Sequence, residues 1–192
     1  MLKLLLFDVE TSSLHTDRLL LEFGARRVDM DLGTGFHNEL DRLSVVIPWA
    51  RFYIGMQGNP VALRMHEENG LIDESGKLWE AGREAASEAA FRKIETFVAK
   101  HAANDVHIAG KNVHFDIDTV ERELRFCGTP DAQTFDGYSH RRFDLSTLRL
   151  IAAEFTPDVD LDTPTNHRID SCLDSFLPDF NNLMGIITEE EY

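Results

Sequence analysis

The sequence predicts an α/β protein, in which a mixed central β-sheet with an antiparallel N-terminal meander is flanked by α-helices. Residues 1–48 hold three apolar or alternating segments separated by turn residues, which is typical of paired strands. Most of the remaining chain shows helical periodicity around one further short apolar segment. Because no internal repeat or linker interrupts residues 1–192, we expect a single domain.

The first three segments are predicted to be antiparallel strands. Residues 3–9 are almost continuously apolar, which indicates a strand buried on both faces. Residues 18–29 alternate in their first half, and residues 36–47 end at Pro48. The intervening residues 30–35 are rich in Gly and Asp, so they predict a hairpin turn.

Helical periodicity governs the rest of the chain, interrupted by a predicted short strand at 106–109. Stop signals such as Asn69-Gly70 mark the helix ends. The segment 156–166 contains two prolines and is predicted to be a loop. The predicted helices cover 61–69, 84–101, 115–126, 145–155 and a last segment from His167 that Pro178 breaks.

Composition limits the class of protein and its surroundings. No stretch of 18 apolar residues exists, so we expect no membrane contact, and the N-terminus lacks the features of a secretory signal. Two cysteines fit a reduced, cytoplasmic setting. The net charge of -15 leaves two interpretations open. Either the chain contacts only a few nucleotides of a nucleic acid, or the charge merely aids solubility.

Asp8 and Glu10 are the most informative residues. They end the first predicted strand, where residues i and i+2 project from the same face. Two buried like charges must be protonated or meet a cation, and Mg²⁺ and Mn²⁺ prefer oxygen ligands. A pair of solvated acids at a strand end is the alternative.

Two later motifs add to this pair. Asp116 lies in the first turn of a predicted helix that directly follows the strand 106–109, a position that the helix dipole favours for a carboxylate. His167 follows the predicted loop and precedes the last helix, and histidine is the side chain that most often serves as a general base near neutral pH. Alone, each is more often a helix-initiating acid or a surface histidine.

Together the motifs resemble the DEDDh family of 3′–5′ exonucleases, which have a ribonuclease H-like fold. The resemblance rests on Asp8-Val9-Glu10, on Asn112 to Asp116 and on His167-Arg168, in this order along the chain. Residues 65–71 and 143–148 are similar to further segments of oligoribonuclease and its phage-type relatives.

The resemblance implies a metal-dependent exonuclease. Two divalent cations, Mg²⁺ or Mn²⁺, would be held by Asp8, Glu10, Asp116 and a C-terminal Asp, with His167 as general base. The implied partner is the 3′ end of short single-stranded RNA, or of single-stranded DNA, and oligoribonuclease suggests a homodimer. Substrate-binding roles fall on Thr11, Leu14, His66, Asn112 and Phe115, although Leu14 fits core packing and His66 a structural role about as well.

The last metal ligand departs from the family pattern. The family's Asp lies five residues after the His, a position occupied here by Cys172, which is a poor ligand for Mg²⁺. We therefore predict Asp170 as the fourth carboxylate, with Asp174 as runner-up.

The expected function is cleavage of short RNA from its 3′ end. A single-stranded DNA exonuclease of proofreading or phage type is the alternative, since the same carboxylates serve both substrates. A catalytically inactive nucleic-acid-binding protein is the rival from another class, supported by Cys172 alone.

Overall fold

The computed structural model describes residues 1–34, 36–126, 134–156 and 163–189. Of residues 187–189 only the backbone is described. Within these residues five strands form one mixed sheet, which confirms the predicted fold class. The strands are β1 (Leu2–Thr11), β2 (Leu20–Met30), β3 (His37–Val46), β4 (Val106–Gly110) and β5 (Arg142–Asp144). Their spatial order is β3-β2-β1-β4-β5. β1, β2 and β3 are antiparallel neighbours, whereas β4 runs parallel to β1 and β5 parallel to β4.

In the described part of the chain, six helices surround this sheet. They are α1 (Arg51–Gln57), α2 (Pro60–Glu68), α3 (Leu71–His101), α4 (Val113–Phe126), α5 (Leu145–Phe155) and α6 (Ile169–Glu189). Helices α3 and α4 pack on one face of the sheet, and α5 and α6 pack on the other. No helix within the described ranges is long and apolar enough to cross a membrane.

The central strand β1 separates the two cores. Leu5 and Phe7 are buried against α3 and α4, while Leu4 and Leu6 are buried against α5 and α6. Because side chains alternate along a strand, the even-numbered face continues to Asp8 and Glu10. The strand therefore directs both carboxylates toward the α6 side of the sheet.

Some predicted elements needed correction. Helix α3 runs from Leu71 to His101 with non-helical backbone angles at Arg83, so its second part begins at residue 84 as predicted. The helical part before Arg83 was not predicted, and neither were α1 and β5. Helix α6 begins at Ile169 and continues through Pro178. The exposed proline removes one backbone hydrogen bond, but burial of Leu177 and neighbouring apolar side chains holds the helix together. Within the predicted loop, residues 157–162 lie outside the described residues.

Candidate active site

Three potential ligand atoms meet at the junction of β1 and α6. One carboxylate oxygen each from Asp8 and Glu10 and the sulfur of Cys172 all lie within 4.8 Å of one another. The thiol donates to Glu10 Oε1 at 3.4 Å. Glu10 and Cys172 are buried, and Asp8 is partly buried. The strand contributes the two acids because i and i+2 share a face, and the first turns of α6 supply the sulfur.

Asp116 adds a third carboxylate from the first turn of α4. Its side chain is 3 % exposed, and its Oδ2 atom has no hydrogen-bond partner. Gly110 lies beside it, where a Cβ atom would come within 2.8 Å of the Phe7 carbonyl oxygen and 3.4 Å of Asp116 Oδ2. The glycine thus lets the end of β4 approach β1 closely at the level of the carboxylates.

Burial raises the pKa values of all three acids, and repulsion within the cluster adds to the shifts of Glu10 and Asp116. Burial raises the pKa of Asp8 to about 6, partly offset by the charge of Lys111. Burial and the charge of Asp8 raise the pKa of Glu10 to about 8. Burial, followed by the charges of Asp8, Asp144 and Glu10, raises the pKa of Asp116 well above its usual range. A cation between these groups would favour their ionised forms and offset the repulsion that adds to the shifts of Glu10 and Asp116.

The structure does not bring Asp170 or Asp174 into this cluster. Both side chains are about two-thirds exposed, and their carboxylates lie 3.8 and 2.6 Å from the Arg26 guanidinium. Residues two apart on a helix project about 200° from one another, so the helix phase that buries Cys172 directs both aspartates away from Asp8. The structure thus places Cys172, and neither the predicted Asp170 nor the runner-up Asp174, beside Asp8 and Glu10.

His66 lies beneath the cluster. It is fully buried, with Nε2 placed 3.1 Å from the Thr11 carbonyl oxygen and 3.8 Å from Glu10 Oε2. Burial lowers the pKa of His66 to about 4, so the ring is neutral near pH 7 and can donate to the Thr11 carbonyl. In this position His66 supports the end of β1 and presents no surface to a nucleotide.

His167 is exposed on the segment that leads into α6. Its backbone has a φ of 52°, and Asn69 Nδ2 donates to the carbonyl oxygens of Asn166 and His167 at 3.1 and 2.8 Å. The next residue, Arg168, donates two hydrogen bonds of 2.9 Å to buried Glu22. The backbone around His167 is thus fixed from two sides, while its ring is open to solvent.

The remaining predicted substrate residues lie at the surface or just below it. Leu14 is 81 % exposed, so the alternative of core packing does not apply. Thr11 is buried and its hydroxyl donates to the Ser13 carbonyl, whereas Asn112 is exposed. The Phe115 ring is partly buried, with the Arg18 guanidinium 4.0 Å from its centroid.

Several residues that hold the site in place were not predicted from the sequence. Asp144 accepts hydrogen bonds from the backbone of Val113 and Thr147, so it links the starts of α4 and α5. Asp144 belongs to the segment 143–148, whose resemblance to oligoribonuclease does not by itself predict these contacts. No sequence signal would have paired Glu22 with Arg168, because 146 residues separate them.

A separate cavity of about 750 Å³ lies on the side of the loop that follows β1. Its lining includes the aromatic residues Trp49, Tyr53, Trp79 and Phe126, together with Arg18 and Arg122. None of Asp8, Glu10, Asp116 and Cys172 lines it. The clustered acids and the cavity are therefore distinct features of the surface.

Comparison with known proteins identifies structural neighbours only. No protein-family model matches the chain, and no curated protein matches it. Exonuclease I of E. coli, in complex with a dT13 oligonucleotide, superposes with a TM-score of 0.61 at 16 % identity over 99 % of this chain and 42 % of that chain. A zinc-bound form of the E. coli exonuclease I–ssDNA complex gives 0.57 at 16 % identity over 98 % and 41 %.

A third neighbour is the moderately thermophilic exonuclease I of Methylocaldum szegediense, with a TM-score of 0.53 at 13 % identity over 100 % of this chain and 41 % of that chain. This chain thus spans about two fifths of the length of the structures it matches. These neighbours are exonuclease I, so they lend no support to the expected closeness to oligoribonuclease. At such low identity the likeness concerns the fold alone, and the chain therefore shares its fold with exonuclease I.

Proposed function

We propose that this chain is a metal-dependent 3′–5′ exonuclease that acts on single-stranded DNA. The observation that carries the proposal is the pair Asp8 and Glu10 clustered at the end of the central strand, with the buried carboxyl of Asp116 on α4 near enough for their charges to raise its pKa. The choice of DNA over short RNA is supported by neighbours that were solved with single-stranded DNA. The same carboxylates would also cleave RNA, so the substrate is an outcome of the test.

The residues present fit a divalent cation. Asp116 Oδ2 is a buried oxygen without a partner, and carboxylates are the ligands that Mg²⁺ and Mn²⁺ prefer. Asp8, Glu10 and Asp116 would hold the metal pair, with Cys172 beside them. Bound divalent cations supply a lowered pKa for water and stabilise charge on the phosphate.

The chain's own residues would position the substrate and move the proton. His167, with an exposed ring on a fixed backbone, would accept the proton of the attacking water at a ring nitrogen. The exposed Leu14 side chain would pack against the terminal base, and the Phe115 ring, held by Arg18, would lie next to it.

The test uses 5′-labelled DNA and RNA oligomers of the same sequence, with Mg²⁺, Mn²⁺ or chelator. We expect a metal-dependent ladder shortened from the 3′ end, faster on DNA. Asp8→Asn should reduce the rate by at least about a hundredfold, because it removes a carboxylate at the point of reaction. Asp170→Asn should change it less than about twofold, since an exposed ion pair contributes little.

The outcomes separate the alternatives. Faster cleavage of RNA would restore the oligoribonuclease-like hypothesis. Absence of cleavage with every metal would favour an inactive nucleic-acid-binding chain, and loss of cleavage in Asp170→Asn would contradict the site described above. The single exonuclease domain over residues 1–192, the homodimer and the cytoplasmic location stay predictions.

A further inference from the structure

The sulfur of Cys172 changes the chemistry of the ligand set. Its Sγ atom shares the 4.8 Å cluster with the oxygens of Asp8 and Glu10. Mg²⁺ selects oxygen ligands and near-octahedral geometry, whereas Zn²⁺ and Cd²⁺ accept thiolate sulfur readily. A set of one sulfur and several carboxylate oxygens is therefore matched to a thiophilic cation.

The structure holds this sulfur in the site. Cys172 is 7 % exposed, and its Sγ lies 3.4 Å from Glu10 Oε1 and 3.5 Å from Thr165 Oγ1. Its backbone N–H donates to the Arg168 carbonyl at 3.0 Å, and its carbonyl accepts from Ser175 Oγ at 2.8 Å. The helix around Cys172 is thus fixed, and burial places its sulfur beside Asp8 and Glu10.

A second observation points to a ligand independently of the thiol. Asp116 Oδ2 is buried without any hydrogen-bond partner, and the charges of Asp8 and Glu10 act on this carboxyl from close by. Buried carboxylate oxygens are rarely left unpaired, and such an atom calls for a proton or a cation. Asp170 and Asp174 pair with Arg26 instead and offer no oxygen in place of the sulfur.

We propose that this site binds a thiophilic divalent cation of the Zn²⁺ class in preference to Mg²⁺, with Cys172 as a sulfur ligand beside Asp8, Glu10 and Asp116. This inference rests on the site of the proposed exonuclease and adds the class of cation that the site selects. A site built only of carboxylates would lack the sulfur donor that favours Zn²⁺ over Mg²⁺.

The first experiment measures metal binding without activity. Metal-stripped protein is titrated with Cd²⁺, a spectroscopic substitute for Zn²⁺, and the thiolate-to-cadmium charge-transfer absorption is recorded. Cys127→Ser is the matched control, because Cys127 is the only other cysteine in the sequence. We expect the absorption band in the wild type and in Cys127→Ser, and its loss in Cys172→Ser.

Competition titrations then measure the preference of the site for Zn²⁺ over Mg²⁺. Cys172→Ser should weaken Zn²⁺ binding by at least about tenfold, since changing even an outer-shell partner of a metal ligand has an effect of that size. Cys172→Asp should bind Mg²⁺ at least about tenfold more tightly than the wild type does. Melting of each metal-free variant verifies that it is folded.

Each result bears on one proposal at a time. Absence of the band in folded wild-type protein, or equal Zn²⁺ affinity in wild type and Cys172→Ser, would overturn the sulfur-ligand inference even if DNA is cleaved with Mg²⁺. A Cys172-dependent band with no cleavage by the wild type or Cys172→Asp would uphold this inference and overturn the proposed function.

Discussion

At the scale of single residues, Glu10 shows how the site acts on stability. Its pKa is raised to about 8 by burial and by Asp8, against an ordinary value of 4.5 in the unfolded chain. The folded protein therefore holds this proton more tightly than the unfolded chain does. Metal-free protein should be most stable below about pH 4.5 with respect to this group, and should lose that stability as the pH rises through about 8.

Replacing Glu10 by Gln should remove this loss of stability at high pH. In chelator, we expect Glu10→Gln to be more stable than the wild type by on the order of 2 kcal/mol near pH 9, or about 4–8 °C in melting temperature. Near pH 5 the difference should shrink, since the wild-type side chain is then largely protonated. Thermal unfolding at both pH values measures the effect, with Glu80→Gln, an exposed residue on α3, as control.

An equal gain at both pH values would mean that the amide stabilises by packing and not by relief of charge. A gain in Glu80→Gln of the same size would assign the effect to the overall net charge. Either result would contradict the inference that the negative charge of Glu10 within the cluster destabilises the folded protein at high pH.

The sequence predicted that Asp8 and Glu10 lie together, but not which residue of α6 lies beside them. Asp8 and Glu10 were assigned from the two-residue period of a strand, which needs no tertiary information. Choosing between Asp170, Cys172 and Asp174 required the rotational phase of α6. That phase is set by the packing of Ile169 and its neighbours on the sheet, which the chemical preference of a carboxylate for Mg²⁺ does not reveal.

At the scale of elements, the close packing of α6 on the sheet positions the site. Gly24 is the partner of Asp8 in the β1–β2 register, and Ile169 at the start of α6 lies directly over it. A Cβ atom on Gly24 would fall 1.6 Å from Ile169 Cγ2 and 3.1 Å from Leu173 Cδ1. The absence of a side chain at Gly24 therefore sets how near Cys172 comes to Asp8.

Gly24→Ala should destabilise the protein by about 1–3 kcal/mol, because the start of α6 must move outward. The same shift should weaken metal binding. Gly55→Ala is the matched control, since Gly55 is exposed within α1 and an added Cβ there meets no atom within 4 Å. It should be neutral or stabilising by up to about 1 kcal/mol.

Denaturant unfolding measures the free energy of unfolding of both alanine variants. Metal titration of the two folded variants measures whether Gly24→Ala weakens metal binding. Equal stabilities for the two alanine variants would show that α6 can move without cost. Lowered stability with unchanged metal affinity would show that the spacing of α6 from β1 does not control the site.

Element prediction succeeded where the pattern was long and regular. The three strands of the meander and helices α2, α4 and α5 all lie close to their predicted bounds. β5 has only three residues, too few to show a period, and it exists because it pairs with β4. The first part of α3 contains Gly76 and Gly82, which lower helix propensity, and buried Leu71 and Ile72 compensate through tertiary contacts.

At the scale of the whole molecule, the excess of acidic over basic residues limits how nucleic acid can bind. The chain carries 34 acidic and 19 basic residues. Several of the basic side chains already pair with acids, among them Arg26, Arg18 and Arg168. Long-range repulsion between this charge and a phosphate backbone grows as salt is lowered, which opposes the usual gain in affinity. A short contact at the metal site is the arrangement that best tolerates this charge.

Binding of single-stranded DNA should accordingly depend weakly on salt. Each neutralised phosphate contributes about 0.7 to the slope of log affinity against log salt, so about three contacts give a slope near −2. Fluorescence anisotropy with Asp8→Asn, which should bind without cleaving, measures this slope for a short and a long oligomer, with a duplex of the same length as control. A slope steeper than about −5, or a marked gain in affinity with length, would reveal an extended binding track and contradict a contact limited to the 3′ end. A shallow slope that is the same for both lengths would indicate that contacts to a few phosphates at the 3′ end hold the strand.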